Sequence, residues 1–164
     1  MTREELLSVL DYDASTGLFT WRKRPNAQRW NGRYAGKLAG GRTLNGYRTI
    51  SVGATPYYAS RLAWLYYYGE WPGRIVDHIN VDKDDNRIEN LRLATKSQNA
   101  ANAKAQSRIK SGLKGAYRNG RNYSAKIKVS GRSIYLGQFD TAEAAHAAYI
   151  SAAQRYFSEF ARAA

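Results

Sequence analysis

Residues 74–102 read RIVDHINVDKDDNRIENLRLATKSQNAAN, and that order admits few folds. A short apolar run, Ile75 and Val76, delivers Asp77 and His78. A polar loop rich in Asp and Asn follows, and it ends at Asn90. Residues 91–94 then alternate as a short strand. Thr95 with Gln98 three positions on is a capping-box pattern, so a helix starts there and Asn99 falls in its first turns. A strand end, a loop and a helix start can bring one carboxylate, one imidazole and two carboxamides to a common point.

A hard cation such as Mg²⁺ prefers oxygen ligands and keeps several waters, so one or two protein groups suffice. Asp77 and Asn99 are the oxygen donors of this stretch. His78, neutral near pH 7, is suited to take a proton from an attacking water. Asn90 is placed to hydrogen-bond across the loop and fix its shape. On the residues alone the same pattern also describes a structural loop built from Asx-turns. A calcium loop is excluded: Asp82, Asp84 and Asn86 alternate suitably, but Arg87 stands where Gly is needed and Leu93 where a bidentate Glu is needed.

The order DHIN, DNRIENLR, AT and QN resembles the HNH endonucleases of the phage and homing type, in the ββα-metal group. The resemblance implies Asp77 and Asn99 as metal ligands, with Mg²⁺ or Mn²⁺ as the cofactor. It implies His78 as the general base and Asn90 as the middle Asn that supports it. The segment ASRLAWLYYYGEWP is similar to a family pattern that reads A-H-R-L-A-W-L-Y, and Ser60 stands where that pattern has His. Arg61 beside it is a candidate DNA contact.

Charge points to the partner. The chain carries a formal net charge of +13, which is self-repelling without a polyanion. Residues 90–139 contain no Asp or Glu but carry Arg92, Lys96, Lys104, Arg108, Lys110, Lys114, Arg118, Arg121, Lys126, Lys128 and Arg132. With aromatics interleaved, such a span is expected to contact DNA. The polar, basic residues 22–45 read either as a solvated loop or as an arm tracking the DNA backbone. No apolar run is long enough to cross a bilayer, no secretory signal is visible, and cysteine is absent. A cytoplasmic protein with no membrane partner is the expectation.

Elsewhere the pattern is readable in pieces. Thr2 and Glu5 form a capping box ahead of a short helix, residues 13–17 a turn, and residues 18–21 a strand. Residues 47–52 and 57–60 read as strands joined by a turn at 53–56. A helix over 61–68 is stopped by Gly69. After Gly112, three strands are expected at 114–118, 123–129 and 133–138. Their hairpin signals are Asn119-Gly120 and Ser130-Gly131. A helix capped by Asp140 or Thr141 runs to Phe157, its small face formed by Ala142, Ala145, Ala148, Tyr149 and Ala152. This last third, with LGQFDTAEAAHAAY, resembles the AP2 DNA-binding domain. The resemblance implies a sheet that enters the major groove. Tyr117, Arg118, Arg121, Tyr123, Lys126, Lys128, Arg132 and Tyr135, with Lys114, are the candidate contacts.

The expected architecture is α+β. Residues 1–106 form a ββα-metal nuclease module with an N-terminal extension. Residues 112–164 form a three-stranded antiparallel sheet packed on one helix. The expected function is a metal-dependent endonuclease acting on double-stranded DNA. One site cuts one strand, so a double-strand break needs two events or two chains, as in a homodimer on DNA. A sequence-specific DNA-binding protein with a degenerate nuclease is the alternative, and an RNA-binding protein a third.

Overall fold

The computed structural model describes residues 1–103 and 111–162. Residues 104–110 and 163–164, with the ends of both expected modules and Lys104, Arg108 and Lys110, lie outside the described residues. The chain gathers into two compact units, Met1–Leu93 and Ala94–Ala164.

In the first unit, helix α1 (Arg3–Val9) begins at the Thr2 capping box. The Thr2 hydroxyl accepts from the Glu5 N–H, and the Glu5 carboxylate accepts from the Thr2 N–H. The chain passes straight into strand β1 (Leu10–Asp13), which pairs antiparallel with β2 (Leu18–Trp21). Between them the Asp13 carboxylate accepts from the Ser15 N–H, and Gly17 supplies a φ of +74°. Helix α2 (Gln28–Tyr34) lies within the expected polar loop of residues 22–45. Strands β3 (Gly41–Arg42), β4 (Arg48–Val52) and β5 (Thr55–Tyr58) make one antiparallel sheet. The β4–β5 turn is two residues, Gly53 and Ala54, tighter than expected, because Gly53 adopts the positive φ that such a hairpin needs. The strand therefore ends early, and Ala59 and Ser60 belong to helix α3 (Ala59–Tyr68). Gly69 closes α3 in the left-handed conformation. Leu6, Leu10, Phe19, Ile50, Leu62 and Leu65 form the core of this unit. Burying each stabilises it by about 1.5–3 kcal/mol. Strands β6 (Ile75–His78) and β7 (Leu91–Ala94) pair as a separate two-stranded sheet, joined by the Asp/Asn-rich loop.

In the second unit, helix α4 (Lys96–Asn102) starts at a second capping box, Thr95 with Gln98. Strands β8 (Ala116–Asn119), β9 (Asn122–Val129) and β10 (Arg132–Phe139) form an antiparallel sheet of order β10-β9-β8. Register places Gly120 and Arg121 in the first hairpin loop, one residue later than expected, because Gly120 and not Asn119 takes the positive φ. Ser130 and Gly131 form the second loop. Thr141, rather than Asp140, caps helix α5 (Ala142–Phe157). Ala145 packs with Ala116 and Ala125, while Tyr149, Ala152, Ala153 and Phe157 pack with Ile127 and with Ala101 of α4. The small residues let α5 lie close on the sheet. Gly115 has a φ of +78° and sits directly under the Tyr149 ring, where a Cβ would collide.

Candidate active site and nucleic-acid face

Strand β6 carries Asp77 and His78 to its end, and both are buried, at 4% and 5% exposure. The chain turns sharply there: the Val81 N–H donates to the His78 carbonyl at 2.9 Å, with Val81 at a φ of +62°. A β-branched residue in the left-handed region is strained. Successive Asx-turns then shape the loop, with Asn80 Oδ1 accepting from the Asp82 N–H and Asp82 Oδ1 from the Asp84 N–H. Asn90 closes it. Its Oδ1 accepts from the Asn80 N–H at 3.0 Å, its Nδ2 donates to Asn80 Oδ1 and to the Asp85 carbonyl, and its own carbonyl accepts from the Ile79 N–H. The expected cross-loop bonds of Asn90 are present. Arg87 binds both oxygens of Asp85 and holds that carboxyl down at about 2.

Asn86 bonds to His78, at 3.2 Å from Nε2 to Oδ1. Asn86 Nδ2 donates to the Asp84 carbonyl at 3.0 Å, which turns Oδ1 toward the ring. A carbonyl oxygen accepts, so this bond calls for the tautomer that carries its proton on Nε2. Burial pushes the His78 pKa below its ordinary 6.5, against the opposing pull of the Asn86 bond and of Asp77, Asp85 and Asp82. The ring is therefore neutral at pH 7. The N-terminal hairpin positions Asn86: the Tyr12 hydroxyl donates to its carbonyl at 2.7 Å, and Gly17 packs against the Asn86–Arg87 peptide with no room for a Cβ. Tyr47 faces the site with its ring centroid 6.1 Å from that of His78.

Asp77 accepts from Arg92 Nε at 3.0 Å, in an ion pair whose members are 5% and 13% exposed. Among the described residues no three His, Cys, Asp or Glu gather as a metal cage. Asp77 offers oxygen donors, the kind a hard ion that keeps most of its waters accepts. Asn99 lies in the first turns of α4, in the second unit, its N–H donating to the Thr95 carbonyl. Ser60 is buried on α3.

Residues 57–101, from β5 into α4, match the HNH endonuclease family. That segment is similar to the HNH endonuclease domain. The chain is similar to an uncharacterized HNH endonuclease of Acanthamoeba polyphaga mimivirus, 38% identical over 94 residues, or 57% of this chain and 49% of that protein. The chain thus spans about half the length of the curated relative it matches.

Within the matched segment, Arg92 and Asn86 escaped the sequence reading. Both act through tertiary contacts that no spacing announces, although DNR and NLR stand in the matched segment. Arg61 is engaged internally, its Nη2 donating to the Pro72 carbonyl at 3.3 Å and its guanidinium lying 5.7 Å from the Trp71 ring centroid.

In the second unit, register divides the candidate DNA contacts. Tyr117, Ser124 and Gln138 pair across the sheet, as do Lys126 with Tyr135 and Lys128 with Ser133. These residues share the face opposite Ala125 and Ile127, and so opposite α5. Tyr117, Lys126, Ser133 and Tyr135 line a shallow open cleft there with Arg118 and Asn119. By the same register Tyr123 and Arg132 fall with Ala125 and Ile127, on the helix-facing side. Tyr123 packs into the core beside Ala125, while Arg132 projects at the hairpin end. Arg121 sits in the first hairpin loop, and Arg118 Nε donates to the Gly120 carbonyl. Lys114 is turned away from the sheet face. Its Nζ donates to the Ala101 and Ala103 carbonyls at the end of α4, and burial lowers its pKa to about 8. Those carbonyls are acceptors that the helix end leaves open, and the ammonium satisfies them.

Proposed function

We propose that this protein is a metal-dependent DNA endonuclease that cuts one strand per active site and is held on double-stranded DNA by its C-terminal sheet. The observation that carries the reading is the state of His78. It is buried, neutral, fixed through Nε2 by Asn86, and adjacent to Asp77 within the segment that matches the HNH family. His78 Nδ1 takes the proton of the attacking water. Asn90 acts by holding the loop that carries the base. Asp77 and Asn99 are the proposed metal ligands, with Arg92 orienting the Asp77 carboxylate. A bound Mg²⁺ or Mn²⁺ supplies charge stabilisation at the leaving 3′-oxygen.

The C-terminal sheet supports the targeting role. An AP2-like module lays such a sheet in the major groove, and Tyr117, Lys126, Lys128 and Tyr135 occupy the face free of α5. Residues 1–106 as nuclease module and 112–164 as targeting module remain our reading of the division of labour. A cytoplasmic protein acting as a monomer for nicking, or as a homodimer for a double-strand break, fits that reading. No helix among the described residues is long and apolar enough to cross a membrane.

The competing reading is a DNA-binding protein that does not cut. The Arg92 guanidinium on Asp77 favours it, because a cation already occupies one carboxylate oxygen. Supercoiled plasmid decides between them. Conversion to open circle in Mg²⁺, abolished by chelation, supports the endonuclease. Retardation without nicking under both conditions supports the binder.

A further inference from the structure

Between Ala14 and Gly69 the sequence holds no Asp or Glu, while Lys23, Arg24, Arg29, Arg33, Lys37 and Arg42 crowd its first half. The structure gives that segment a definite shape. It leaves β2 after Trp21 and returns to it: the Trp21 N–H donates to the Lys37 carbonyl at 3.0 Å, the Gly36 N–H to the Trp21 carbonyl at 2.8 Å, and the Ala39 N–H to the Phe19 carbonyl at 2.8 Å. Between these anchors α2 buries no residue. A seven-residue helix without a buried face is unstable by itself.

Local contacts hold it instead. The Arg24 N–H donates to Asn31 Oδ1 at 2.8 Å, and Asn31 Nδ2 donates back to the Arg24 carbonyl at 2.7 Å. The Arg24 guanidinium lies 3.8 Å from the Trp30 ring centroid and 5.6 Å from that of Trp21. Trp30 in turn packs against Trp21 and Tyr34. On this scaffold Lys23, Arg29, Arg33 and Lys37 are exposed to solvent. Among the described residues, Arg22 is the one cation of residues 22–46 answered by an acid, Asp11, at 2.6 Å. Two further cations stand at the next turn, Arg42 from β3 and Lys83 from the loop after β6, whose Nζ donates to the Asn45 carbonyl. Arg42 and the Lys83 stem both lie within 4.0 Å of the point a Cβ on Gly46 would occupy. Tyr47 follows immediately, and its ring faces His78.

Like charges fixed within a Debye length of about 8 Å repel one another in the free protein. That cost is recovered when each cation displaces a counterion from a phosphate. We propose that residues 22–46 are a second DNA-contacting surface, on which the α2 arm and the β3–β4 turn hold the phosphate backbone of the duplex that enters the HNH site. The choice of DNA as polyanion rests on the proposed function.

The test uses the full chain. Duplex affinity is titrated against salt for the parent and for Lys23→Gln/Arg29→Gln/Arg33→Gln/Lys37→Gln, with parent nicking measured in parallel. These side chains are exposed, so the variant should melt with the parent. Its log–log salt slope should be shallower by about 0.9 for every cation that meets a phosphate, with roughly tenfold or more weaker binding at physiological salt. DNA should also protect Lys23 and Lys37 of the parent from acetylation. An Asn31→Ala variant keeps every charge but opens the clasp, and should bind more weakly with little change in slope. If the parent binds and nicks while the four-site variant keeps its slope and affinity, this surface is refuted and the endonuclease reading stands. If the parent neither binds nor nicks DNA, both fall.

Discussion

At the residue scale the account turns on His78. His78→Ala should lower nicking by about 10²–10⁴-fold, the usual contribution of a positioned base, while duplex affinity stays nearly unchanged. The pH dependence has a definite sign. The folded pKa lies below 6.5, so the acid limb of the nicking profile should fall below that value. As pH drops under 6.5, the unfolded imidazole takes up a proton before the folded one does. Stability is therefore lost across the window from 6.5 down to the folded pKa and is constant below it. Thermal melts of the parent and His78→Gln through that range check this, the parent losing more. Asn86→Asp places a carboxylate against the ring and should move the acid limb upward, because a neighbouring negative charge favours imidazolium.

At the scale of elements, the N-terminal hairpin is the support on which the base is aligned. Gly17→Ala adds a methyl group against the Asn86–Arg87 peptide at a φ of +74°, and should destabilise the chain by about 2 kcal/mol and slow nicking together. Val81→Gly relieves a β-branched residue at a φ of +62° beside His78, and should stabilise by about 1 kcal/mol in a thermal melt. Elements with local signals were legible in the sequence: the capping boxes at Thr2 and Thr95, the Gly69 stop, the Ser130-Gly131 turn and the small face of α5. Strand β1 was not, since it follows α1 without a break and exists through its pairing with β2. Helix α2 carried no side-chain cap and buries no residue, and the contacts that order it, the clasp between Arg24 and Asn31 and the packing of Trp30, appear only in the fold. Lys114 looked like one more basic residue of the sheet, and only the fold shows its ammonium at the end of α4. That Asp77 and His78 end a strand and that Asn90 bonds across the loop could be read from their order, but the partners Arg92 and Asn86 depend on how β6, β7 and the loop fold together.

At the scale of the whole molecule, the charge of +13 is distributed over both units. Helix α4, which carries Asn99, packs through Ala101 against the core of the second unit. Deleting residues 112–164 would therefore strip that helix of its support as well as removing the sheet. Full-chain Lys126→Gln/Lys128→Gln/Tyr135→Ala is the cleaner probe, and should weaken duplex binding and reduce sequence preference while the thermal melt is preserved. The most direct test of the central claim is a nicking time course on supercoiled plasmid with Mg²⁺, run on the parent and His78→Ala at protein concentrations that saturate the DNA. The account predicts open circles from the parent and almost none from the variant, with equal retardation of the DNA by both. Equal rates of nicking by the two proteins would contradict it.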